Sequence, residues 1–199
     1  MSHNLPHIND WQYQITLIAS HLTLNLLERD KIIEFTHYLM DNGYYDDLML
    51  DILDDNKNFV VDELSQLLKN LFRKLNFIEF DKEQAKYFLT VSFITPLIQK
   101  PFKLPFLYEN YINNPTQISI QALFNEIEPF LDYSCYYGVV IDNPIIDKLG
   151  YLAYEIEWNI ENQSDAHFAI LKFLTQCENW LYHHTNILTP IIQQIGLQK

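Results

Sequence analysis

The sequence predicts an all-α protein, either an irregular multi-helix bundle or a short HEAT-like array of helices. Apolar residues recur at spacings of three and four along most of the 199-residue chain, which is the period of one helix face. Only four glycines occur, too few for the frequent tight turns of a sandwich or barrel of short strands. Helix–short loop–helix units recur without a fixed period, so the bundle and the array both stay open.

Five helices are predicted in the first half of the chain, each with one apolar stripe. Asn9 or Asp10 is available to cap the first helix, and Asn42-Gly43 is a typical end for the second. Pro96 is expected to end the fifth, because proline lacks the amide hydrogen that a helix interior needs. The predicted ranges are about 10–22, 28–40, 45–55, 62–75 and 82–95.

The amino-acid composition changes in the middle of the chain. Residues 100–116 contain three prolines and predict a connector, which would join two possible lobes, 1–99 and 117–199, of a single domain 1–199. Beyond it, residues 136–141 are compatible with one minor strand. Helices are predicted at about 119–131, 144–162 and 164–184, and Thr189-Pro190 is expected to begin the last one.

Charge and segment lengths exclude several classes of protein. Thirteen basic residues against 26 acidic ones give a formal net charge of −13, which argues against binding to nucleic acids or anionic lipid. The longest uncharged apolar stretch, 87–99, is only 13 residues long, too short for a membrane span. The first residues carry no secretory pattern, and the two cysteines are expected to be buried thiols, so we expect a cytoplasmic protein.

The sequence contains no complete motif for a metal, a cofactor or catalysis. The tract 54–58 begins like a calcium loop, but Phe59 stands where that loop needs Gly and Ser65 where it needs Glu. His183 and His184 are adjacent, so on a helix they diverge by about 100° and do not face one ion. We therefore expect no metal and no cofactor. Cys135 stays open as a nucleophile, although no cation near it in sequence would lower its pKa.

The acidic residues are concentrated in two regions. Residues 41–63 hold eight acids against one base, and residues 126–165 hold nine against one, so the net charges are −7 and −8. Residues 69–103 hold seven bases and three acids, a net charge of +4. The chain thus has two acidic regions and a mildly basic middle.

Four aspartates are expected to share one face of the predicted third helix. Asp47, Asp51, Asp54 and Asp55 are spaced i, i+4, i+7 and i+8. Like charges four residues apart destabilise a helix by a few tenths of a kcal/mol, and the macrodipole disfavours acids in the last turn. A solvated face that aids solubility is the simpler interpretation. The alternative is a surface kept acidic in order to bind a basic partner.

An aromatic row carrying one carboxylate lies in the helix predicted at 144–162. Tyr151, Tyr154, Glu155 and Trp158 are spaced i, i+3, i+4 and i+7. Aromatic residues at this spacing usually pack in a core, which is the simpler interpretation. On a surface they would anchor a partner, because Tyr and Trp dominate the hot spots of protein interfaces.

These features resemble the acidic, mostly helical immunity proteins of bacterial polymorphic-toxin and contact-dependent inhibition systems. The resemblance rests on the Asp-rich segment 41–47, the row 51–55 and the segment 154–158. It implies a small cytoplasmic protein that binds a cationic nuclease toxin domain and blocks its substrate surface.

The sequence therefore predicts a non-enzymatic protein that binds and neutralises a basic protein partner. One alternative is a helical-repeat adaptor that binds a peptide or helix in a groove, and another is an enzyme with an unrecognised carboxylate or Cys135 site. The predicted partner-binding residues form two faces: Tyr44, Tyr45, Asp46, Asp47, Asp51, Asp54 and Asp55, and Tyr154, Glu155, Glu157, Trp158 and Glu161.

Overall fold

The described part of the chain is all-helical, as predicted. The computed structural model describes residues 8–98, 142–162, 164 and 166–197, together with residues 122, 124, 125, 127, 128 and 131. No strand occurs among these residues, and those between 122 and 131 are helical. The helices are α1 (Asp10–Leu24), α2 (Arg29–Asp41), α3 (Asp47–Leu53), α4 (Val61–Lys74), α5 (Lys82–Ile98), α6 (Pro144–Glu161) and α7 (His167–Gly196).

The chain divides into two compact units. One comprises Asn9–Leu89 and Ile191–Lys199 and contains α1 to α4, and the other comprises Met1–Ile8 and Thr90–Pro190 and contains α6. The predicted connector at 100–116 and the predicted strand at 136–141 lie outside the described residues. None of the described helices combines the length and apolar character needed to cross a bilayer.

The α1–α4 unit is built around an aromatic cluster centred on Trp11. Its indole is buried and stacks on the ring of Tyr44, with centroids 5.3 Å apart and planes inclined by 8°. Tyr38 stacks at 6.0 Å, and Phe77 meets the indole edge-on at 5.7 Å. Because these rings come from α1, α2 and the segments after α2 and α4, the cluster joins four parts of the unit.

Gln12, the residue after Trp11, ties the start of α1 to the end of α7. Its backbone amide donates to Asn9 Oδ1 at 2.9 Å, and its side-chain oxygen accepts from the Asn9 amide at 3.0 Å, which forms a capping box. Its Nε2 donates to the Ile192 carbonyl at 2.7 Å in a buried bond. A Cβ at Gly196 would lie 2.8 Å from that nitrogen, so any other residue there would require the Gln12 side-chain amide to shift.

In the second unit, α6 and the part of α7 up to Pro190 each carry a buried, mostly aliphatic stripe. Asn143 caps α6 through a 3.5 Å bond from the Ile146 amide, and its Nδ2 donates to Thr90 Oγ1 at 2.9 Å. Ile146, Leu149, Leu152, Ala153 and Ile156 form the buried stripe of α6, and the buried residues of α7 in this unit are Ala169, Ile170, Phe173, Leu174, Cys177, Leu181 and Leu188.

Two predicted helix boundaries are wrong, both at proline. α5 continues past Pro96 to Ile98, and α7 is one helix of 30 residues with Pro190 inside it, so no separate helix begins at Thr189-Pro190. An interior proline costs about 3 kcal/mol in an isolated helix. In α7 the buried residues Leu181, Leu188, Ile192 and Ile195 keep helical spacing on both sides of Pro190, and their burial offsets that cost.

His21, in the last turn of α1, is half-buried. Its Nδ1–H donates to the Leu17 carbonyl at 2.7 Å. Burial lowers the pKa of His21, which the bond to Leu17 and the Glu28 carboxylate only partly offset, while the charge of Lys31 lowers it further. The neutral imidazole is therefore the form that the folded protein favours.

Replacing Gln12 should destabilise the protein. Gln12→Ala removes the buried hydrogen bond to Ile192 and the half of the capping box in which the Gln12 side chain accepts from the Asn9 amide. We therefore expect the free energy of unfolding in urea to fall by about 1–3 kcal/mol. Gln14→Ala, on the same helix, is the control and should change it by less than about 0.5 kcal/mol. Equal losses in the two variants would contradict the role of the Gln12–Ile192 bond.

Stability should depend on pH through His21. The pKa of His21 is lower in the folded state than in the unfolded state. The contribution of His21 to stability is therefore complete above the unfolded pKa of about 6.5 and is lost as the pH falls from there toward the folded pKa. We expect His21→Gln to lose less stability than the wild type between about pH 7 and pH 5 in urea titrations. His37→Gln, at an exposed position of α2, should follow the wild type.

Candidate functional site

The predicted row of four aspartates on one helix face is wrong. α3 ends at Leu53, so only Asp47 and Asp51 belong to it. Asp54 is in extended conformation, and its carboxylate accepts from the Asn56 amide at 3.0 Å as the cap of a short 3-10 helix, Asp55–Lys57. A capping aspartate prefers to leave the helical conformation, which explains the early end of α3.

Two acids of this segment are occupied by nearby lysines. Asp46 caps α3 by accepting from the Leu48 amide at 2.9 Å, and Lys74 Nζ of α4 lies 3.0 Å from its carboxylate. The Leu48 amide and then Lys74 hold the pKa of Asp46 below its usual value. Asp51 pairs with Lys57. Among the described residues, no cation lies within ion-pair distance of Asp47, Asp54 or Asp55.

The two tyrosines predicted as anchors have different environments. Tyr44 is half-buried against Trp11 and Phe77, so it belongs to the core of its unit and is not a free anchor. Tyr45 is 73% exposed, and Leu50, one turn into α3, is 63% exposed. Of the predicted pair, only Tyr45 is available to a partner.

Tyr45 and Leu50 border an open depression of about 190 Å³ between the end of α2 and the start of α3. We call it the α2–α3 depression. Its apolar lining includes Met40 and the buried Met49, neither of which the sequence indicated as part of a site. Its full lining is Met40, Tyr45, Asp46, Asp47, Met49 and Leu50.

The aromatic row of α6 lies on the surface and not in the core. Tyr151, Tyr154 and Trp158 are 70%, 45% and 60% exposed. The core side of α6 is taken by its aliphatic stripe, which is on the opposite face. Glu155 and Glu161 are exposed beside the rings, and Glu157 is half-buried. The interpretation of these aromatic residues as core is therefore wrong, and their exposure is what an interface requires.

α7 extends this surface. Lys172 Nζ lies 3.3 Å from Glu155 Oε2, and Lys148 Nζ donates to Gln176 Oε1 at 2.7 Å. The order of these contacts shows that α6 and α7 run antiparallel, as expected for helices joined by a short segment.

Phe168 lies one turn before Lys172 and is 70% exposed, and Trp158 lies one turn after Glu155. Both rings are therefore displaced from the ion pair toward the segment that connects the helices. We call this surface the α6–α7 face and define it by Tyr151, Tyr154, Glu155, Trp158, Phe168, Leu171 and Lys172.

Histidines and cysteine of α7 show no sign of a metal site. His183 and His184 each hydrogen-bond through Nδ1 to a carbonyl of their own helix, at 2.6 Å and 2.7 Å. Cys177 is a buried free thiol whose pKa is raised by burial and by Glu178. Among the described residues, no group of three or more His, Cys, Asp or Glu could hold a metal ion. Cys135 lies outside them.

Comparison of the chain with protein-family models, with curated proteins and with solved structures finds no match. The candidate surfaces therefore have to be interpreted from their own chemistry. Sequence reasoning missed Phe168, Leu171, Leu50 and Met40. A usable signal existed for α6, because the aliphatic stripe Ile146, Leu149, Ala153 and Ile156 stands opposite the aromatic row and competes with it for the core.

Stability measurements should distinguish the exposed tryptophan from the buried one. Trp158→Ala should change the free energy of unfolding in urea by less than about 0.5 kcal/mol, because the ring is mostly in water already. Trp11→Ala, the matched substitution in the core, should cost about 3–5 kcal/mol. A loss above about 2 kcal/mol for Trp158→Ala would show that this ring contributes to packing.

Proposed function

We propose that this protein is a non-enzymatic immunity protein that binds and neutralises a basic toxin domain, a nuclease, in the cytoplasm. The observation that carries the proposal is the exposure of Tyr151, Tyr154 and Trp158 beside the carboxylates of α6. The free thiol of Cys177 is compatible with a reducing compartment. The binding surface is the α6–α7 face.

Exposed aromatic rings in a row are an unfavourable arrangement for a protein that binds nothing. A large ring left in water forgoes about 1.5–3 kcal/mol of the stabilisation that burial would provide. Tyr and Trp recover this free energy in an interface, where they order with few rotatable bonds and dominate the binding energy. Three such rings on one helix are thus typical of an anchor.

The charge of the chain favours a basic partner over a second copy. At a net charge of −13, two copies repel each other, whereas a cationic domain is attracted and its encounter is accelerated. Glu155, Glu157 and Glu161 supply local negative charge at the rings. Lys172 neutralises part of it and holds Glu155 in a fixed position between α6 and α7.

The partner can be tested through the gene neighbourhood. A neighbouring reading frame that encodes a secreted protein with a basic C-terminal domain would supply the ligand. Co-expression of this protein with that domain should abolish its toxicity to the host cell, and the purified proteins should form a stable complex. Unchanged toxicity upon co-expression would contradict the proposed function.

Trp158 should be a hot spot of that complex. We expect Trp158→Ala to raise the Kd about 30-fold in calorimetry, because a central aromatic anchor contributes about 2 kcal/mol or more. Ile187→Ala is the control, since this exposed residue lies 15 positions after Lys172, about 22 Å along α7. Similar effects of the two substitutions would place the interface elsewhere.

Salt should distinguish capture by charge from burial in a groove. The association rate should fall about tenfold as ionic strength rises from about 0.01 M to 0.15 M, since the Debye length shrinks from about 30 Å to 8 Å. The double variant Glu157→Gln/Glu161→Gln should show a weaker dependence, and Asp62→Asn, in the other unit, is the control. A rate that does not respond to salt would favour the groove-binding adaptor.

A further inference from the structure

The α2–α3 depression combines an apolar floor with two carboxylates at its rim. Met40, Met49 and Leu50 provide unbranched or flexible apolar surface, and Tyr45 presents an exposed ring. Methionine adapts to the shape of its neighbours, so such a floor suits a long aliphatic stem. At about 190 Å³, the depression is below the range of small-molecule sites and fits one side chain.

The carboxylates at the rim determine which charge is favourable for a side chain bound in the depression. Asp46 is held by the Leu48 amide and by Lys74, so it is fixed and ionised. Asp47 is exposed, and among the described residues it has no cationic partner. The N-terminal end of α3 disfavours a cation, and because Lys74 neutralises Asp46, the charge of Asp47 is what offsets that effect. The rim therefore attracts one positively charged group.

We propose that the α2–α3 depression receives an arginine side chain of the basic partner, an inference that rests on the proposed function. The guanidinium forms a bidentate pair with a free carboxylate and stacks on an aromatic face, and Asp47 and Tyr45 provide both within one depression. Lysine offers neither the planar fork nor the stacking, and its ammonium is more strongly hydrated. Arginine is also enriched in protein interfaces, whereas lysine is depleted.

Methionine labelling provides a direct test. Two of the three methionines of the chain, Met40 and Met49, line the depression. Protein labelled with carbon-13 at the methionine methyl groups is titrated with oligoarginine, with oligolysine and with oligocitrulline, a neutral analogue of arginine, at equal peptide length. We expect oligoarginine to shift both methyl resonances saturably, oligolysine to bind more weakly and oligocitrulline to leave them unchanged.

Two substitutions distinguish binding in a specific pocket from nonspecific attraction to the acidic surface. Asp47→Asn should raise the Kd for oligoarginine about fivefold, as expected for one partly exposed charge pair. Asp55→Asn removes the same charge from an exposed site of the same segment outside the depression and should change the Kd less than twofold. Equal effects of the two, unperturbed methionines, or equal binding of oligolysine would overturn the arginine pocket.

The indole resonance of Trp158, recorded in the same titration, keeps this test separate from that of the proposed function. If Trp158 responds to oligoarginine while the methionines do not, the arginine pocket is wrong and the α6–α7 face stands. If the methionines respond and Trp158→Ala leaves the affinity for the toxin domain unchanged, the pocket stands and the α6–α7 face is wrong. If neither the methionines nor Trp158 respond to oligoarginine, the arginine pocket is wrong, and the effect of Trp158→Ala on the affinity for the toxin domain decides whether the α6–α7 face stands.

Discussion

The stacking of Trp11 on Tyr44 is the contact on which the α1–α4 unit depends. It brings the start of α1 against the segment that links α2 to α3, and Phe77 closes the cluster after α4. The buried Trp11 Nε1 has no hydrogen-bond acceptor among the described residues, at a cost of about 1–3 kcal/mol. Burial of the large ring and its aromatic contacts outweighs that cost. The same cluster directs Tyr44 inward and leaves Tyr45 to solvent.

α6 shows the opposite outcome for aromatic residues. The helix carries two stripes, one aliphatic and one aromatic, and only one can face the core. The aliphatic stripe is the buried one, and aliphatic side chains can pack at the density of a protein interior. It consists of Ile146, Leu149, Ala153 and Ile156. The aromatic stripe then has to be exposed. The aromatic residues of the chain therefore have two environments, a buried cluster in the α1–α4 unit and an exposed row on the α6–α7 face.

The spacing of apolar residues predicted most helices, because apolar residues recur on the face that each helix buries. It failed at Pro96, past which α5 continues to Ile98, and at Pro190, where the burial of Leu188 and Ile192 maintains a helix that local propensity would end. It also failed at Asp54, whose capping bond ends α3 before the predicted row is complete. For the site, sequence identified the aromatic row and its acids but not their exposure, because an aromatic stripe by itself does not distinguish core from solvent. Only its comparison with the aliphatic stripe on the opposite face of α6 does so. Contacts between helices, such as Glu155 with Lys172, depend on tertiary packing that spacing does not encode.

The net charges of the two acidic regions overstate what a partner would encounter. Lys74, from outside the segment 41–63, neutralises Asp46, and Lys172, from outside the segment 126–165, neutralises Glu155. A paired carboxylate adds little to the long-range field, so it orients contacts at close range instead of steering the encounter. The steering charge comes from acids without a described cation, such as Asp47 and Glu161. The α2–α3 depression and the α6–α7 face thus each have one paired acid beside an exposed ring and a second acid nearby that has no described cation. Such an arrangement would permit both a rapid encounter with a basic partner and a defined geometry in the complex.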